Sequence, residues 1–313
     1  SLWLLYVART LGGILSAATL PVAAAYIADV TTDEERGRGM AWLGTAVSLG
    51  FVVGPALGGL LSRRDVHIGA RYWHFLIDGF SIPFFVAAAL GLLALFSAMR
   101  WLEEPRNADR QHATDRDAST DWRWVARGLG FPLGLTLVGQ GAHALFEGTF
   151  ALFAMTNLDY GPADVGAIFV VCGLVMAAFQ PWAASALAGR VGEIGRVGVG
   201  FGVMGVSLTL LAVARIGFFV FAIVALYALG MAFISPNLAA LISKRGGPRR
   251  SGTALGAQNA ANSLGQAGGV LLGTALFAWK TTSAYLITGG VLVSVALIVG
   301  ARQRSRRGAT RPA

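Results

Sequence analysis

Three polar side chains recur on one face of an otherwise apolar stretch, GQGAHALFEGTF (139–150). Gln140, His143 and Glu147 are spaced by three and four residues, which places them above one another on a helix. Glu147 is the one acidic residue deep in an apolar run, where an ionised carboxylate is costly and its protonation depends on access. His143 could share that proton. The face therefore predicts proton binding or transfer, with a neutral, hydrogen-bonded structural Glu as the alternative.

The polar face at 140–147 lies within one of several long apolar runs. Such runs recur along the whole chain of 313 residues. Hydrophobic residues make up 55% of the chain and charged residues 13%, against about 25% charged residues in soluble domains. Runs of about 18 apolar residues or more are typical of membrane-spanning helices. We therefore predict an all-α polytopic membrane protein. Its nine spans are expected near 2–28, 40–61, 81–99, 129–154, 164–188, 197–214, 216–242, 254–278 and 283–301.

The basic residues are concentrated on one side of these predicted spans. Most of the 25 Lys and Arg residues lie in the connections at 29–39, 100–128, 189–196 and 243–250 or after the last span. All of these segments fall on the same side, and cytoplasmic connections carry an excess of Lys and Arg. We therefore predict a multi-pass protein of the inner or plasma membrane with these segments in the cytoplasm. The net charge of +9 then needs no nucleic-acid partner.

The longest polar segment divides the chain into two groups of spans. We predict a partial N-terminal helical bundle at 1–104, a cytoplasmic linker at 105–124, a six-helix C-terminal bundle at 125–303 and a basic cytoplasmic tail at 304–313. The single cysteine, Cys172, lies within an apolar run and allows no intrachain disulfide.

An internal repeat relates the two groups, with an offset of 215 residues. Pro21 falls on Pro236, and SLGFVVGPALGG (48–59) falls on SLGQAGGVLLGT (263–274) without a gap. A shared proline, a shared SLG triplet and an unchanged connection length indicate a duplicated unit. The spans at 129–214 have no earlier counterpart in the chain. We therefore expect the complete protein to have twelve spans, three of which precede this chain.

Glycines interrupt the predicted helix at 40–61 in a regular way. They recur every four residues, so they form a bare groove on one face that lets membrane helices approach closely. The glycines are Gly50, Gly54 and Gly58, and the repeat preserves them as Gly265, Gly269 and Gly273. Pro55 removes the N–H that would bond the Phe51 carbonyl and should bend the helix.

These segments resemble the major facilitator superfamily, in particular its branch of proton-coupled drug exporters that includes the tetracycline exporters. YVARTLGGILSAA (Tyr6–Ala18) is similar to the family's helix-4 motif, with Arg9 and Gly13 at its firmest positions. GFVVGPALGG is similar to the helix-5 antiporter motif. The matching positions there are Gly50, Gly54, Pro55, Gly58 and Gly59. The resemblance covers nearly the whole chain, aligned to the family's helices 4–12.

The resemblance implies a two-bundle secondary transporter that takes a small-molecule substrate and protons across a lipid bilayer. It implies that Arg9 faces the cavity and pairs with an acid or a carbonyl of the family's helix 1 during proton transfer, whereas snorkelling to the outer interface is the alternative. Arg9 is therefore a proton-coupling candidate together with Glu147 and His143. The substrate-cavity candidates are Gln140, Gln180, Asn237, Gln258, Asn259 and Asn262. The same polar groups could instead tie helices together by hydrogen bonds. We expect a monomer without a cofactor or a metal.

The predicted function is proton-coupled efflux of small amphipathic molecules or drugs. One alternative is a facilitator or importer of a metabolite in the same superfamily, and another is a truncated, inactive or structural membrane remnant. The sequence holds no metal-ligand spacing, nucleophile motif or phosphate-binding loop, so we predict that it is not an enzyme. In SALAGRVGEIGR (185–196), Gly189 stands where the family's cytoplasmic gating motif has Asp, which argues against a charge-relay gate there.

Overall fold

The computed structural model describes residues 2–16, 19–30, 33–62, 81–102, 122–185, 191–214 and 216–309. Within these ranges the regular structure is helical throughout. The helices of 12 residues or more are α1 (Leu2–Ser16), α2 (Thr19–Val30), α3 (Asp33–Leu61), α4 (Ile82–Trp101), α5 (Gly130–Asn157), α6 (Pro162–Ser185), α7 (Glu193–Val213), α8 (Gly217–Trp279) and α9 (Ser283–Ala309). A lead-in turn precedes α5, with a short α-helical piece at Trp122–Trp124 and a π-helical turn at Val125–Leu129.

Six helical segments among the described residues are long and apolar enough to cross a membrane. They are Ile82–Trp101, Val125–Asn157, Pro162–Gln180, Glu193–Val213, Gly217–Gly246 and Ser283–Gln303. Helices also cover the described parts of the three other predicted spans, as α1 with α2, as α3 and as the later part of α8. The prediction of an all-helical membrane fold is confirmed, and the count of nine spans stays a prediction.

The contacts within the chain divide it into two units. The first comprises Ser1–Phe51 and Phe84–Ser119, and the second comprises Val52–Pro83 and Thr120–Ala313. In the first unit the described side chains of α1 are exposed, and α4 has no buried residue. Helices this apolar on every face are typical of membrane spans. The predicted bundle and linker boundaries stay predictions.

The long helix α8 reverses direction although its helical structure is continuous. It remains helical through 243–250, where the sequence predicts a connection between two spans. Ile242 and Ala254 nevertheless lie in one buried cluster with Leu129 of the lead-in turn. Twelve residues of straight helix cover about 18 Å, so the helix axis must turn back between these two residues. The sequence predicts a connecting loop at 243–250. In the structure, the chain instead stays helical there and reverses direction, so that two antiparallel helical limbs follow one another without a loop.

The first limb of α8, at 217–242, and its second limb, at 254–279, both pack on α5, which lies between them. A Cβ atom added at Gly139 would contact Ile234 of the first limb at 3.4 Å. One added at Gly141 would come within 3.2 Å of the Gly265 carbonyl oxygen in the second limb. Two residues are about 200° apart around a helix, so the limbs contact nearly opposite faces of α5.

The glycine groove of the second limb is filled by α5. A Cβ atom at Gly265 would come within 2.5 Å of the Leu137 carbonyl oxygen, and one at Gly273 within 2.7 Å of the Leu145 side chain. At Gly269 the added atom would overlap the carbonyl group of Gly141. The close helix approach expected from the glycine spacing is therefore present in this copy of the repeat.

Candidate functional site

The helix α5 positions Gln140, His143 and Glu147 on one face. Phe146 and Phe150, which border this face, are fully buried and hold the helix within the second unit. Exposure increases along the polar face, because the His143 side chain is 13% exposed and that of Glu147 is 42% exposed. The carboxylate therefore reaches the surface of the second unit, while the imidazole is held inside it.

His143 is the centre of a row of three side chains, Tyr227–His143–Glu147. Its Nδ1 lies 2.8 Å from the Tyr227 hydroxyl, and its Nε2 lies 3.5 Å from Oε1 of Glu147. An ionised carboxylate can only accept, so a neutral His143 presents Nε2–H to Glu147 and accepts the Tyr227 O–H at Nδ1. A protonated His143 donates from both nitrogens, and Tyr227 then accepts. The row can thus hold a proton on His143 or on Glu147 and keep both contacts.

Sequence reasoning missed Tyr227, which lies in the first limb of α8 and is 1% exposed. Its ring packs on Phe146 with centroids 4.3 Å apart and stacks on His143 at 6.1 Å. One signal was available, because Tyr227 is the only tyrosine in the apolar stretch 217–242 and a buried tyrosine hydroxyl usually finds a partner. The identity of that partner depends on which helices meet, which the local pattern does not contain.

Three of the substrate-cavity candidates converge one turn away from this row. Gln140 of α5, with Gln258 and Asn262 of the second limb of α8, lines a polar cavity of about 20 Å³. Its other lining residues are Thr136, Ile234, Ser235 and Leu238. That volume holds about one water molecule, and drug-sized ligands need pockets of about 300 Å³ or more. The cavity as described therefore accommodates water between neutral polar groups.

The remaining candidates lie apart from the polar cavity. Asn237 is buried, and its Nδ2 donates to the carbonyl oxygens of Ala183 at 3.2 Å and Phe233 at 2.9 Å. It thereby ties α6 to the first limb of α8. Gln180 is half-buried on α6 and Asn259 is exposed on α8. In the part of the chain that the structure describes, no three His, Cys, Asp or Glu side chains converge as a metal site.

The residues of the helix-4 and helix-5 motifs lie on α1 and α3. Arg9 is exposed on α1 in the first unit. No described atom lies within 4 Å of a Cβ added at Gly50, Gly54 or Gly58, so this copy of the groove is not used for a close contact among the described residues. The close contact is made instead by Gly59, where an added Cβ would come within 2.9 Å of the Gly166 Cα atom.

Pro55 lies inside α3, which continues to Leu61. Its carbonyl oxygen also borders the contact between α3 and α6, 3.0 Å from where a Cβ of Gly166 would be. The antiporter-motif segment thus contacts α6 through Pro55 and Gly59. Each of these residues directly follows a glycine of the predicted groove.

Comparisons with known proteins cover almost all of the chain. The sequence model of the Major Facilitator Superfamily matches residues 1–123 and 133–313. Multidrug resistance protein 2 of Bacillus subtilis is 26% identical over 279 residues, which are 87% of this chain and 66% of that protein. Tetracycline resistance protein, class C, of Escherichia coli is 30% identical over 286 residues, 88% of this chain and 67% of that protein. Multidrug resistance protein 1 of Bacillus subtilis is 32% identical over 177 residues, which are 56% of this chain and 41% of that protein.

The chain spans about two thirds of the length of two of these relatives. The apolar helices and the family match agree on a multi-pass membrane protein from a family of transporters, not of enzymes. Related to tetracycline resistance and multidrug resistance proteins, the chain belongs to the Major Facilitator Superfamily.

Proposed function

We propose that this protein is a secondary active transporter that exports small amphipathic molecules across a cytoplasmic membrane in exchange for protons. Its relation to proteins named for multidrug and tetracycline resistance supports drugs as the substrate class. We assign the linker and the C terminus to the cytoplasm because the basic connections share one side. We further propose that the transporter acts as a monomer.

The observation that carries the proposal is the Tyr227–His143–Glu147 row. Glu147 reaches the surface of its unit, where it can exchange a proton with water, and His143 behind it offers a second proton position. A carboxylate in a membrane-embedded cavity is stabilised in its ionised form by a nearby cation and in its protonated form by apolar surroundings. A cationic amphipathic substrate and a proton therefore compete for Glu147, and that competition couples their movements in opposite directions.

The other candidates are proposed to act around this exchange. Gln140, Gln258 and Asn262 would offer hydrogen bonds to substrate when their cavity opens, with Gln180 and Asn259 on neighbouring helical surfaces. Asn237 uses both of its amide N–H groups on backbone carbonyls, so we assign it to holding two helices together. Arg9 is proposed to assist proton transfer. The antiporter-motif residues Gly50, Gly54, Pro55, Gly58 and Gly59 are proposed to form the helix-packing surface of the first half.

The direct test is transport by the full-length protein reconstituted in proteoliposomes. With an imposed pH gradient, we expect uphill movement of tetracycline or ethidium opposite to the proton flux, and a protonophore should abolish it. Downhill movement that ignores the pH gradient would favour a facilitator. A folded protein that moves neither protons nor either compound would favour an inactive or structural membrane protein.

We predict that Tyr227→Phe changes the pH dependence of transport. The variant loses the hydroxyl that contacts Nδ1 of His143, so the imidazole loses a partner in both of its protonation states. The loss of one buried hydrogen bond should also lower the free energy of unfolding by about 1 kcal/mol. The measurement is substrate-driven proton flux over a range of pH, together with thermal unfolding.

Tyr285→Phe is the matched control for this variant. It removes another buried hydroxyl, which lies 3.0 Å from Oγ1 of Thr149 and does not contact His143. We expect a similar loss of stability and an unchanged pH profile. If both variants displace the pH profile alike, Tyr227 has no particular role in proton coupling.

A further inference from the structure

One end of the second unit, where α5 and α7 begin, carries an excess of positive charge. We call it the basic end. Its described cations include Arg127, Arg196, Lys244, Arg245, Arg250 and Arg302. Glu193 is the acidic side chain described at this end, and it forms an ion pair with Lys244. The described part of this end therefore carries more positive than negative side chains.

An open cavity of about 620 Å³ lies at the basic end, and its described lining residues are Arg123, Trp124, Arg127 and Gly128. The guanidinium carbon of Arg250 lies 5.0 Å from the centroid of the Trp124 ring, in a cation–π contact. A cation–π contact does not use up the N–H groups along the edge of a guanidinium. That edge is the one that binds two oxygens of a phosphate at once.

Arg245 is held next to Gly128, one of the described lining residues of this cavity. Pro132 has no N–H, so the Gly128 carbonyl four residues earlier loses its normal helical donor. Nη1 of Arg245 donates to that carbonyl oxygen at 3.2 Å. The hydrogen bond uses one of five guanidinium N–H groups and leaves the charge beside the cavity.

Three of the arginines near this cavity have no described carboxylate beside them. Among the described residues, no carboxylate lies within ion-pair distance of Arg127, Arg245 or Arg250. Like charges gathered at a surface repel one another unless a counter-charge joins them. Several arginines around one open volume match the oxygen-rich, compact charge of a phosphate group.

The depth of the cavity identifies the source of the phosphate. Tryptophan side chains prefer the interface between the membrane and water, and the apolar span that contains α5 begins at Val125, directly after Trp124. The cavity therefore lies at the level of lipid headgroups, where basic pockets between membrane helices bind anionic lipids. We propose that the cavity at Trp124 binds the phosphate headgroup of an anionic phospholipid. This proposal does not depend on what the protein transports.

The test is retention of phosphatidylglycerol by the purified full chain in a neutral detergent, measured by native mass spectrometry. We expect the double variant Arg127→Gln/Arg250→Gln to retain roughly tenfold less of this lipid than the unmodified protein. Lys280→Gln is the matched control, because it removes one positive charge at the opposite end of the second limb of α8. We expect it to retain phosphatidylglycerol at the level of the unmodified protein.

Two further measurements distinguish a site for a phospholipid headgroup from a site for a free anion. Phosphatidylcholine should be retained poorly, and inorganic phosphate in large excess should not displace phosphatidylglycerol. If the double variant does not fold, retention by the unmodified protein is measured against ionic strength, and it should fall as salt screens the arginines. Equal retention by variant and unmodified protein, displacement by inorganic phosphate, equal retention of phosphatidylcholine or indifference to salt would each overturn the proposal.

Discussion

Replacing Glu147 by Gln is expected to reduce substrate-driven proton movement to the level of empty liposomes. The amide keeps the size of the side chain but can neither bind nor release a proton, so nothing is left at that position for substrate and proton to compete for. The Glu147 side chain is 42% exposed, and surface substitutions usually change the free energy of unfolding by about 0.5 kcal/mol or less. The variant should therefore fold normally. Proton flux is followed with a pH-sensitive dye inside proteoliposomes while tetracycline is added outside.

Asp159→Asn is the matched control, because it makes the same change from carboxylate to amide in the connection between α5 and α6. Asp159 is exposed and has φ of 56°, a conformation that Asn adopts as readily as Asp. This variant should transport like the unmodified protein. If Glu147→Gln leaves proton flux unchanged, Glu147 is a structural residue and the proposed coupling is wrong.

Replacing Gly269 by Ala is expected to cause the largest loss of stability. The new Cβ atom would overlap the carbonyl group of Gly141, and a backbone group in the middle of α5 cannot turn aside as a flexible side chain could. The two helices would have to separate, which also loosens the contacts at Gly265 and Gly273. We expect a destabilisation of about 3 kcal/mol, or roughly 6 °C or more in Tm. The measurement is thermal unfolding of the detergent-solubilised protein.

The neighbouring glycine provides the control for this packing prediction. No described atom lies within 4 Å of a Cβ added at Gly268, so Gly268→Ala meets open space. Alanine is favoured over glycine in a helix by about 1 kcal/mol, so this variant should be neutral or slightly more stable. Equal melting temperatures for the two variants would contradict the account of the groove.

The polar face of α5 could be predicted because its signals are local. A helix with Gln140, His143 and Glu147 on one side follows from their spacing within a single apolar run. The Tyr227 contact could not be predicted in this way, because it joins residues 84 positions apart in the chain. The convergence of Gln140, Gln258 and Asn262 could not be predicted either, because it depends on how α8 folds back against α5.

The reversal of α8 and the two glycine grooves mark other limits of the sequence pattern. Charged and glycine-rich residues at 243–250 predict a loop, yet they form helical turns that meet at a sharp change of direction. The glycine spacing predicted a close approach in both copies of the repeat. The second copy packs on α5, whereas Gly54 and Gly58 have no described neighbour within 4 Å of an added Cβ atom and Gly59 makes the contact. Spacing identifies a bare surface, but only the neighbouring helix decides where that surface is used.

The position of α5 between the two limbs of α8 has a mechanical consequence. Gln140 and His143 are three residues apart, so about 4.5 Å of a single rigid rod separates the water-sized cavity from the Tyr227–His143–Glu147 row. Backbone contacts at the glycine groove leave no compressible side chains to absorb a displacement on that side. A tilt of α5 at one site would therefore change the dimensions of the other, and we expect the water content of the cavity to depend on the charge of the Tyr227–His143–Glu147 row.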